Sequence, residues 1–261
     1  MASERNVALV TGASSGIGAQ LARIHAEHGG ALVIVARRRE KLEALKAELE
    51  KAHGVTVHVL TQDLAEAGAA QQVHDQVRER GVDIDILVNN AGFGYRGVFH
   101  EQDWAINEAM IKVNILALAA LTRVFVPAMV ARGRGRVLNV ASMAGFVPGP
   151  LHAVYYATKA FVVSFSEALA SELAGTGVTV TALCPGPTET EFTRTPQMQE
   201  VNLTRRMDSA RRVAKVGYEA MLKGKAVVVP GLLNKITTHG LLRLSPRRLT
   251  TRVARLLNEE R

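Results

Sequence analysis

The chain has 261 residues, of which 48% are hydrophobic and 21% are charged, with a formal net charge of +8 and a single cysteine. This composition is ordinary for a globular protein and excludes disorder over most of the length. One cysteine excludes an internal disulfide and a thiolate metal site, so we expect a cytoplasmic protein.

Short apolar runs rich in β-branched residues alternate with helical segments along the chain. The sequence predicts strands at Val7–Val10, Ala31–Val35, Val55–Leu60, Ile86–Val88, Val137–Val140, Val178–Leu183 and Ala226–Val229. Helical patterns lie between them at Gly18–His28, Lys41–His53, Ala67–Arg80, Asn107–Ala131 and Val154–Ala174. This alternation is typical of right-handed crossovers in a parallel sheet. The predicted fold class is therefore α/β, as one doubly wound domain over residues 1–261.

A glycine-rich loop joins the first strand to the first helix. Gly12 permits a tight turn, Gly16 lets the backbone approach a phosphate, and Gly18 lets helix and strand pack closely. The helix N-terminus offers free N–H groups and a partial positive charge to an anion. The sequence therefore predicts that a dinucleotide pyrophosphate binds this loop, whose other contacting residues are Ser14, Ser15 and Ile17.

The end of the second strand decides between the two nicotinamide dinucleotides. An acidic residue there binds the ribose 2′-hydroxyl of NAD, whereas an arginine accepts the 2′-phosphate of NADP. Ala36 is followed here by Arg37 and Arg38, and no carboxylate occurs before Glu40. Guanidinium groups match phosphate oxygens in a bidentate manner. We therefore expect NADP(H), with Arg37 as the main phosphate contact and Ser14 or Arg38 assisting.

Six motifs resemble, in type and order, those of the short-chain dehydrogenase/reductase family. They are Thr11–Gly18, Asn89-Asn90-Ala91-Gly92, Asn114, Ser142, Tyr155-Tyr156-Ala157-Thr158-Lys159 and Pro185–Thr190. The resemblance implies a seven-stranded Rossmann-type sheet with helices on both faces. It also implies an oxidoreductase that interconverts a ketone or aldehyde and an alcohol with a nicotinamide cofactor. We expect a reductase acting on a hydrophobic carbonyl compound.

Elementary chemistry assigns roles to the residues at the reacting end. A ketone that accepts hydride needs a proton donor at its oxygen, and Tyr155 is such a donor. Lys159 lies one helical turn later, so its charge is expected to lower the pKa of the phenol toward neutrality. Ser142 follows the fifth strand, where its hydroxyl can bind the substrate oxygen. Tyr156 also shares a face with Lys159 and is the alternative proton donor.

The family resemblance implies the same catalytic roles and adds one. It assigns Tyr155 as the acid and base, Lys159 to the tyrosine and the nicotinamide ribose, and Ser142 to the carbonyl. It assigns Asn114 to a water molecule that relays protons to the lysine.

The resemblance also implies contacts along the cofactor. Residues after the third strand would contact the adenine, those after the fourth the cofactor ribose, and those after the sixth the nicotinamide amide and phosphate. In chain order they are Asp63, Leu64, Asn90, Ala91, Gly92, Pro185, Gly186, Thr188 and Thr190. Asn89 is expected to tie neighbouring strands together.

A segment at about residues 191–215 is expected to form a substrate lid, as the equivalent insertion does in the family. The residues expected beside the substrate are mostly apolar, with a tyrosine and a histidine as polar handles. They are Phe93, Tyr95, Ser142, Met143, Ala144, Phe146, His152, Phe192 and Met198. This set suits a carbonyl group on a hydrophobic body, such as an acyl chain, a steroid or an aryl ketone.

A basic carboxyl-terminal extension occupies about residues 231–261. Residues 205–261 contain 14 Lys and Arg against four acidic residues, whereas residues 1–204 have a balance of −2. The extension resembles the branch of the family that contains hydroxysteroid dehydrogenases and long-chain ketoacyl reductases. We expect a subunit contact there, with a peripheral membrane anchor as the alternative. Interleaved aromatic residues are missing, so no nucleic-acid partner is expected.

Two predicted helices, Asn107–Ala131 and Val154–Ala174, resemble those that build homodimers and homotetramers in the family. The most apolar part of the chain, residues 115–130, is interrupted by Arg123 and Pro127. It falls short of an uninterrupted membrane span and is predicted to be a buried or interface helix.

Other chemistries receive little support. The histidines show no ligand spacing, so no metal site is expected, and Cys184 is expected to be a small core residue. A catalytically silent NADP-binding regulator is a further alternative, but it would lack Tyr155 or Lys159, and both are present.

Overall fold

The computed structural model describes residues 6–191, 207–231, 234–235 and 246–258. Seven strands form one sheet in which every neighbouring pair is parallel. They are β1 (Ala8–Thr11), β2 (Leu32–Ala36), β3 (Val57–Thr61), β4 (Ile86–Asn89), β5 (Gly135–Val140), β6 (Val178–Leu183) and β9 (Val227–Val228). A separate ribbon pairs β7 (Thr188–Glu189) with β8 (Asp208–Ser209). The predicted α/β class and the seven-stranded parallel sheet are confirmed.

Helices cover both faces of this sheet. Those that the structure describes are α1 (Gly16–Glu27), α2 (Arg39–His53), α3 (Ala69–Glu79), α4 (Trp104–Ile111), α5 (Leu118–Ala131), α6 (Ala153–Glu172), α7 (Ala210–Leu222) and α8 (Arg247–Asn258). Alternate residues of the central strand β1 enter opposite layers of the core. Val10 packs in the cluster that contains residues of α1, α2 and α7, whereas Leu9 packs with residues of α3 and α5. Burial on both faces explains why several of the strands are apolar without alternation.

The strand order places a crevice at the centre of the sheet. The order is β3-β2-β1-β4-β5-β6-β9, so the chain first builds outward from β1 and then returns to its other side. Ala8 of β1 lies opposite Leu32 of β2 and Ile86 of β4. Open α/β sheets bind ligands where the order reverses, outside the carboxyl ends of the strands. The carboxyl ends of β1 and β4 are therefore the expected location of the functional site.

The longest helical segment contains a wide turn. Helices α4 and α5 are joined through a π-helical stretch at Lys112–Ala117, which gives a continuous helical segment of 28 residues from Trp104 to Ala131. This segment is long and apolar enough to pass for a membrane span, and 44% of its most apolar part is buried. Leu121, Phe125 and Met129 pack in the core. The inner face of this helical segment therefore packs in the core, as predicted for residues 115–130.

Several element boundaries differ from the predicted ones for local reasons. Helix α4 begins three residues early because the Asp103 side chain accepts a hydrogen bond from the Ala105 N–H at 2.9 Å and caps the helix. Strand β3 begins two residues late because Gly54 ends α2 in the left-handed conformation. The ribbon of β7 and β8 was not predicted, since two-residue strands have no periodicity to detect.

The predicted lid at about residues 191–215 needs correction at its carboxyl end. Residues 192–206 lie outside the described part of the chain. Helix α7 already begins at Ala210, and two of its residues, Val213 and Ala214, are fully buried in the core. These residues therefore belong to the sheet-covering layer and not to a lid.

Candidate active site

A cleft of about 510 Å³ opens at the carboxyl ends of the central strands. This volume lies within the usual range for small-molecule sites. Most residues singled out in the sequence line it: Gly12, Ser14, Ser15, Gly16, Ile17, Arg37, Arg38, Asp63, Leu64, Asn90, Ala91, Gly92, Phe93, Ser142, Met143, Ala144, His152, Tyr155, Lys159, Pro185, Gly186, Thr188 and Thr190.

Some predicted site residues lie elsewhere. Gly18 lies behind the loop, where an added Cβ would be only 2.5 Å from the Gly12 carbonyl oxygen, so its role is close packing. Phe146 packs on a core cluster, and neither Phe146 nor Tyr95 is among the described residues that line the cleft, so their assignment to the substrate stays a prediction. Phe192 and Met198 lie outside the residues that the structure describes.

The glycine loop is shaped to receive an anion. Gly12 and Gly16 have φ values of +64° and +57°, in the region that favours glycine. The N-cap residue of α1, Ser15, makes no capping hydrogen bond through its side chain, and the first turn of the helix contains no acidic residue. An added Cβ at Gly16 would lie 3.1 Å from the Thr190 Cγ2, so the backbone is accessible there only because the side chain is missing. The uncapped N–H groups and this cradle fit a pyrophosphate.

Two side chains hold the loop in place. The Asn90 amide donates to the carbonyl oxygens of Thr11 at 2.9 Å and Gly12 at 3.3 Å. The Thr11 hydroxyl donates to the Val88 carbonyl and accepts from the N–H groups of Asn90 and Ala91, both at 3.0 Å. The Asn90 side chain thus fixes the loop, while the residue also lines the cleft where a ribose contact was predicted.

A buried polar chain ties the middle of the sheet to two helices. The Asn89 amide on β4 donates to the Asn139 Oδ1 on β5 at 2.9 Å and to the Thr122 hydroxyl on α5 at 3.0 Å. Asn139 in turn donates to the Ser166 hydroxyl on α6 at 2.9 Å. Asn89 therefore connects strands, as the sequence analysis expected.

The cationic end of the cleft is built around Arg38. Its guanidinium donates to the Ser14 hydroxyl at 3.0 Å and to the Ser15 hydroxyl at 3.1 Å. Arg37 instead lies 3.7 Å from an Asp63 carboxylate oxygen, with 76% of its side chain exposed. The structure thus brings Arg38, rather than Arg37, to the glycine loop. Ala36, at the end of β2, is buried.

The reacting end brings together three predicted residues. The Tyr155 hydroxyl is hydrogen-bonded to the Ser142 side chain, whose Oγ also accepts from the Ala144 N–H at 3.1 Å. The Lys159 Nζ donates to the Val140 carbonyl oxygen at 2.8 Å and lies 5.9 Å from the centroid of the Tyr155 ring. The Tyr156 hydroxyl is directed elsewhere, since it donates to the Asn258 Oδ1 at 3.3 Å.

Burial controls the protonation of this group. It raises the pKa of Tyr155 to about 12, an effect that the hydrogen bond from Ser142 opposes, and it lowers the pKa of Lys159 to about 8. The predicted lowering of the phenol pKa by Lys159 is not found here, because burial dominates the shift and the ammonium is engaged by the Val140 carbonyl instead of the phenol. At neutral pH Tyr155 is therefore protonated, which is the form that donates a proton.

Asn114 lies in the π-helical turn, buried beside the lysine. Its amide donates to the Phe93 carbonyl at 2.9 Å and to the Thr158 hydroxyl at 3.0 Å, and its oxygen accepts from the Phe93 N–H. A Cβ added at Gly92 would be 2.9 Å from the Asn114 Oδ1 and 3.5 Å from the Lys159 Nζ. Asn114 therefore positions both the loop after β4 and helix α6. Such wide turns are frequent at functional sites.

The segment after β6 closes over the glycine loop. The Thr188 hydroxyl donates to the Gly186 carbonyl at 2.9 Å, and the Thr190 hydroxyl donates to the Thr188 carbonyl at 3.4 Å. Thr190 packs against Gly16, and Pro185–Thr188 together with Thr190 line the cleft. The segment therefore bridges the pyrophosphate end and the reacting end.

The opposite wall contains a neutral histidine. His152 donates a ring N–H to the Tyr95 carbonyl, and burial lowers its pKa to about 4. Its Nδ1 has no hydrogen-bond partner among the residues that the structure describes. Since the other ring nitrogen holds the proton, Nδ1 is an acceptor.

One wall of the cleft contains a residue that was not predicted from the sequence. Asn258, at the end of α8, lines the cleft and donates to the Pro150 carbonyl at 3.0 Å. Its own carbonyl accepts from the Arg96 Nε at 2.9 Å. No local signal marks it, because its partners lie more than 100 residues earlier in the chain. Gln62 also lines the cleft and was not predicted. It directly precedes Asp63 after β3, so the expectation that residues after this strand contact the cofactor applies equally to it.

Cys184 is a core residue. Cys184 is completely buried in a core cluster, and burial raises its pKa to about 12. In the described ranges, no three His, Cys, Asp or Glu residues are grouped so that they could hold a metal ion.

Comparison with known proteins identifies relatives of this arrangement. The family model of short chain dehydrogenases matches residues 6–201. A very-long-chain 3-oxoacyl-CoA reductase from Anas platyrhynchos is 35% identical over 185 residues. The matched region covers 68% of this chain and 58% of that reductase, so this chain spans less than two thirds of its relative's length.

Two solved structures are similar over nearly the whole chain. The short-chain dehydrogenase from Sphingobium yanoikuyae in complex with NADPH is 32% identical, with a TM-score of 0.80 and coverage of 92% of this chain and 96% of that one. A 7β-hydroxysteroid dehydrogenase is 28% identical, with a TM-score of 0.86 and coverage of 96% and 97%. With the family model matched over most of its length and the motifs assembled in one cleft, the chain belongs to the short-chain dehydrogenase family of oxidoreductases.

Proposed function

We propose that the protein is an NADP(H)-dependent oxidoreductase that acts as a reductase on a hydrophobic ketone or aldehyde. One observation carries the proposal. The hydrogen-bonded pair of Tyr155 and Ser142, with Lys159 beside it, lies in the same cleft as the uncapped N-terminus of α1. A proton donor and an anion-binding loop at opposite ends of one cleft suit reduction of a carbonyl by a dinucleotide.

The residues of the cleft fit such a cofactor along its length. The N-terminus of α1 would hold the pyrophosphate, Arg38 with Ser14 and Ser15 the 2′-phosphate, and Thr190 the nicotinamide end. When bound, the reduced nicotinamide would supply hydride. The NADPH complex of the Sphingobium relative supports the choice of cofactor.

The protein's own groups would manage the proton. Tyr155, protonated at neutral pH, would donate to the substrate oxygen, while the Ser142 hydroxyl would hydrogen-bond that oxygen and stabilise the charge that develops on it. Lys159 is charged below its pKa of about 8 and would stabilise the tyrosinate that remains. A catalytically silent regulator would have no use for this arrangement.

The substrate proposal follows from the wall opposite the glycine loop. Phe93 and Met143 provide an apolar surface, and the neutral His152 provides one acceptor. A carbonyl on an apolar body with a hydrogen-bond donor near His152 would satisfy both. The relatives that act on 3-oxoacyl-CoA and hydroxysteroids have substrates of broadly this kind. A panel of ketones and alcohols, monitored by absorbance of the reduced nicotinamide, would identify the class of substrate.

The decisive experiment replaces the proton donor. Tyr155→Phe should lower turnover by about 10³-fold, because proton transfer is lost. NADPH affinity, measured by fluorescence of the reduced nicotinamide, should change less than about twofold, since the aromatic ring remains. Tyr156→Phe is the matched control and should retain turnover. Full activity in Tyr155→Phe, or loss only in Tyr156→Phe, would refute the assignment.

We also propose a cytoplasmic homodimer or homotetramer. Leu116 and Phe161, on the helical layer that resembles the family's dimer helices, are exposed. The alternative is peripheral membrane attachment through α8, on which Leu249, Val253 and Leu256 are exposed at helical spacing among arginines.

A further inference from the structure

The carboxylate of Glu191 occupies the cationic end of the cleft. The Arg38 Nη1 lies 2.7 Å from one of its oxygens, and Lys41 binds the other. The Ser15 side chain is a third partner. Glu191 directly follows Thr190, which packs on Gly16, so the carboxylate is delivered to this position by the segment that crosses the glycine loop.

The same groups are those that the proposed function assigns to the cofactor phosphate. Arg38 and Ser15 contact Glu191 and, together with Ser14, form the set of donors beside the end of β2. A carboxylate and a phosphate both use the guanidinium fork, so they compete for it. We propose that Glu191 is an internal competitor for the 2′-phosphate of NADP(H) and thereby sets how strongly the enzyme prefers NADP(H) to NAD(H).

Electrostatics make this competition constant across physiological pH. Lys41 and Arg38 lower the pKa of Glu191 to about 2, so the carboxylate stays ionised. Its side chain is also 46% exposed, and so it can turn into solvent without a large desolvation cost. Binding of a 2′-phosphate therefore displaces or repels Glu191, whereas a dinucleotide without that phosphate leaves it on Arg38 and Lys41.

The inference rests on the proposed cofactor, and the experiment separates the two. Isothermal titration calorimetry compares adenosine 2′,5′-bisphosphate with adenosine 5′-monophosphate, two ligands that differ only in the 2′-phosphate. In Glu191→Gln the affinity for the bisphosphate should rise about fivefold, the range for one partly exposed ion-pair cluster. The affinity for the monophosphate should change less than about twofold.

Two further variants test whether the competition is local. Glu189→Gln removes an exposed carboxylate from the same segment and should leave both affinities within about twofold of the wild type. In an Arg38→Ala background the gain from Glu191→Gln should shrink, because the shared donor is gone. Glu191→Ala should reproduce the effect of Glu191→Gln.

The outcomes are distinguishable. If the wild type prefers the bisphosphate but Glu191→Gln does not change that preference, the competition is absent and the proposed cofactor stands. If Glu191→Gln raises both affinities equally, the effect is a general one of charge and the inference is wrong. If the wild type and Glu191→Gln both bind the two ligands equally, the proposed NADP(H) preference fails and this inference fails with it.

Discussion

At the scale of single residues, the choice of the phosphate-binding arginine is the sharpest question. Arg37 and Arg38 are adjacent and chemically identical, yet their environments differ. Arg38 contacts two hydroxyls of the glycine loop, whereas Arg37 extends toward Asp63 and solvent. A guanidinium already oriented by hydrogen bonds loses less entropy on binding a phosphate than one that is free in solvent.

We therefore expect the two alanine variants to behave differently. Arg38→Ala should lower kcat/KM with NADPH by about tenfold or more, since a charge-assisted hydrogen bond contributes about 1.5–3 kcal/mol. Arg37→Ala should lower it by less than about threefold, as for an exposed ion pair.

The measurement is steady-state kinetics with NADPH and with NADH for each variant. Activity with NADH serves as the control and should be nearly unchanged in both. A larger loss in Arg37→Ala than in Arg38→Ala would show that Arg37 turns toward the phosphate when the cofactor binds.

At the scale of elements, helix α8 forms part of the cleft wall through its last residue, Asn258. Thr250, Ala254 and Asn258 are buried at intervals of four, while Leu249, Val253 and Leu256 are exposed. This buried stripe faces the body of the protein. Asn258 donates to Pro150 and accepts from Tyr156, so it connects the helix to the loop before α6 and to α6 itself.

Asn258→Ala should loosen this helix. The loss of the buried hydrogen bonds should cost about 1–3 kcal/mol of local stability. Hydrogen exchange of the α8 amides should therefore accelerate, while exchange in β1 and β4 stays slow. Leu256→Ser, on the exposed face of the same helix, is the control and should leave exchange unaltered. Equal protection in Asn258→Ala would mean that α8 is held by its apolar contacts alone.

What the sequence could predict follows the range of the interactions. The glycine loop and the Tyr155–Lys159 pair depend on spacings of a few residues, and strand and helix periods are local, so they were predictable. The contact of Glu191 with Arg38, the wall formed by Asn258 and the raised pKa of Tyr155 depend on segments far apart in the chain. Local propensity and periodicity contain no information about such long-range contacts. The choice between Arg37 and Arg38 was unpredictable for the same reason.

At the scale of the whole molecule, two apolar surfaces compete as candidates for association. Leu116 is 58% exposed on the π-helical turn, and Phe161 on α6 stacks on Phe165 with ring centroids 5.6 Å apart. The second surface is the exposed stripe of α8. A stable interface needs a substantial contiguous apolar area, which two neighbouring helices provide better than one.

We expect the helical layer to form the subunit contact. A double variant with Leu116→Lys and Phe161→Arg should convert the oligomer to monomers in size-exclusion chromatography with light scattering, since it places charges in an apolar contact. Leu256→Lys should leave the mass unaltered. Dissociation by Leu256→Lys alone would move the contact to α8, and salt-sensitive sedimentation with anionic vesicles would favour the membrane alternative.

The chain of buried amides and hydroxyls from Thr122 through Asn89 and Asn139 to Ser166 limits how this enzyme can adapt. Sliding α5 or α6 along the sheet would leave an amide unsatisfied in the interior, at a cost of about 1–3 kcal/mol for each broken hydrogen bond. The sheet and these two helices therefore resist deformation. Adaptation to larger or smaller substrates has to come from residues at the edge of the cleft.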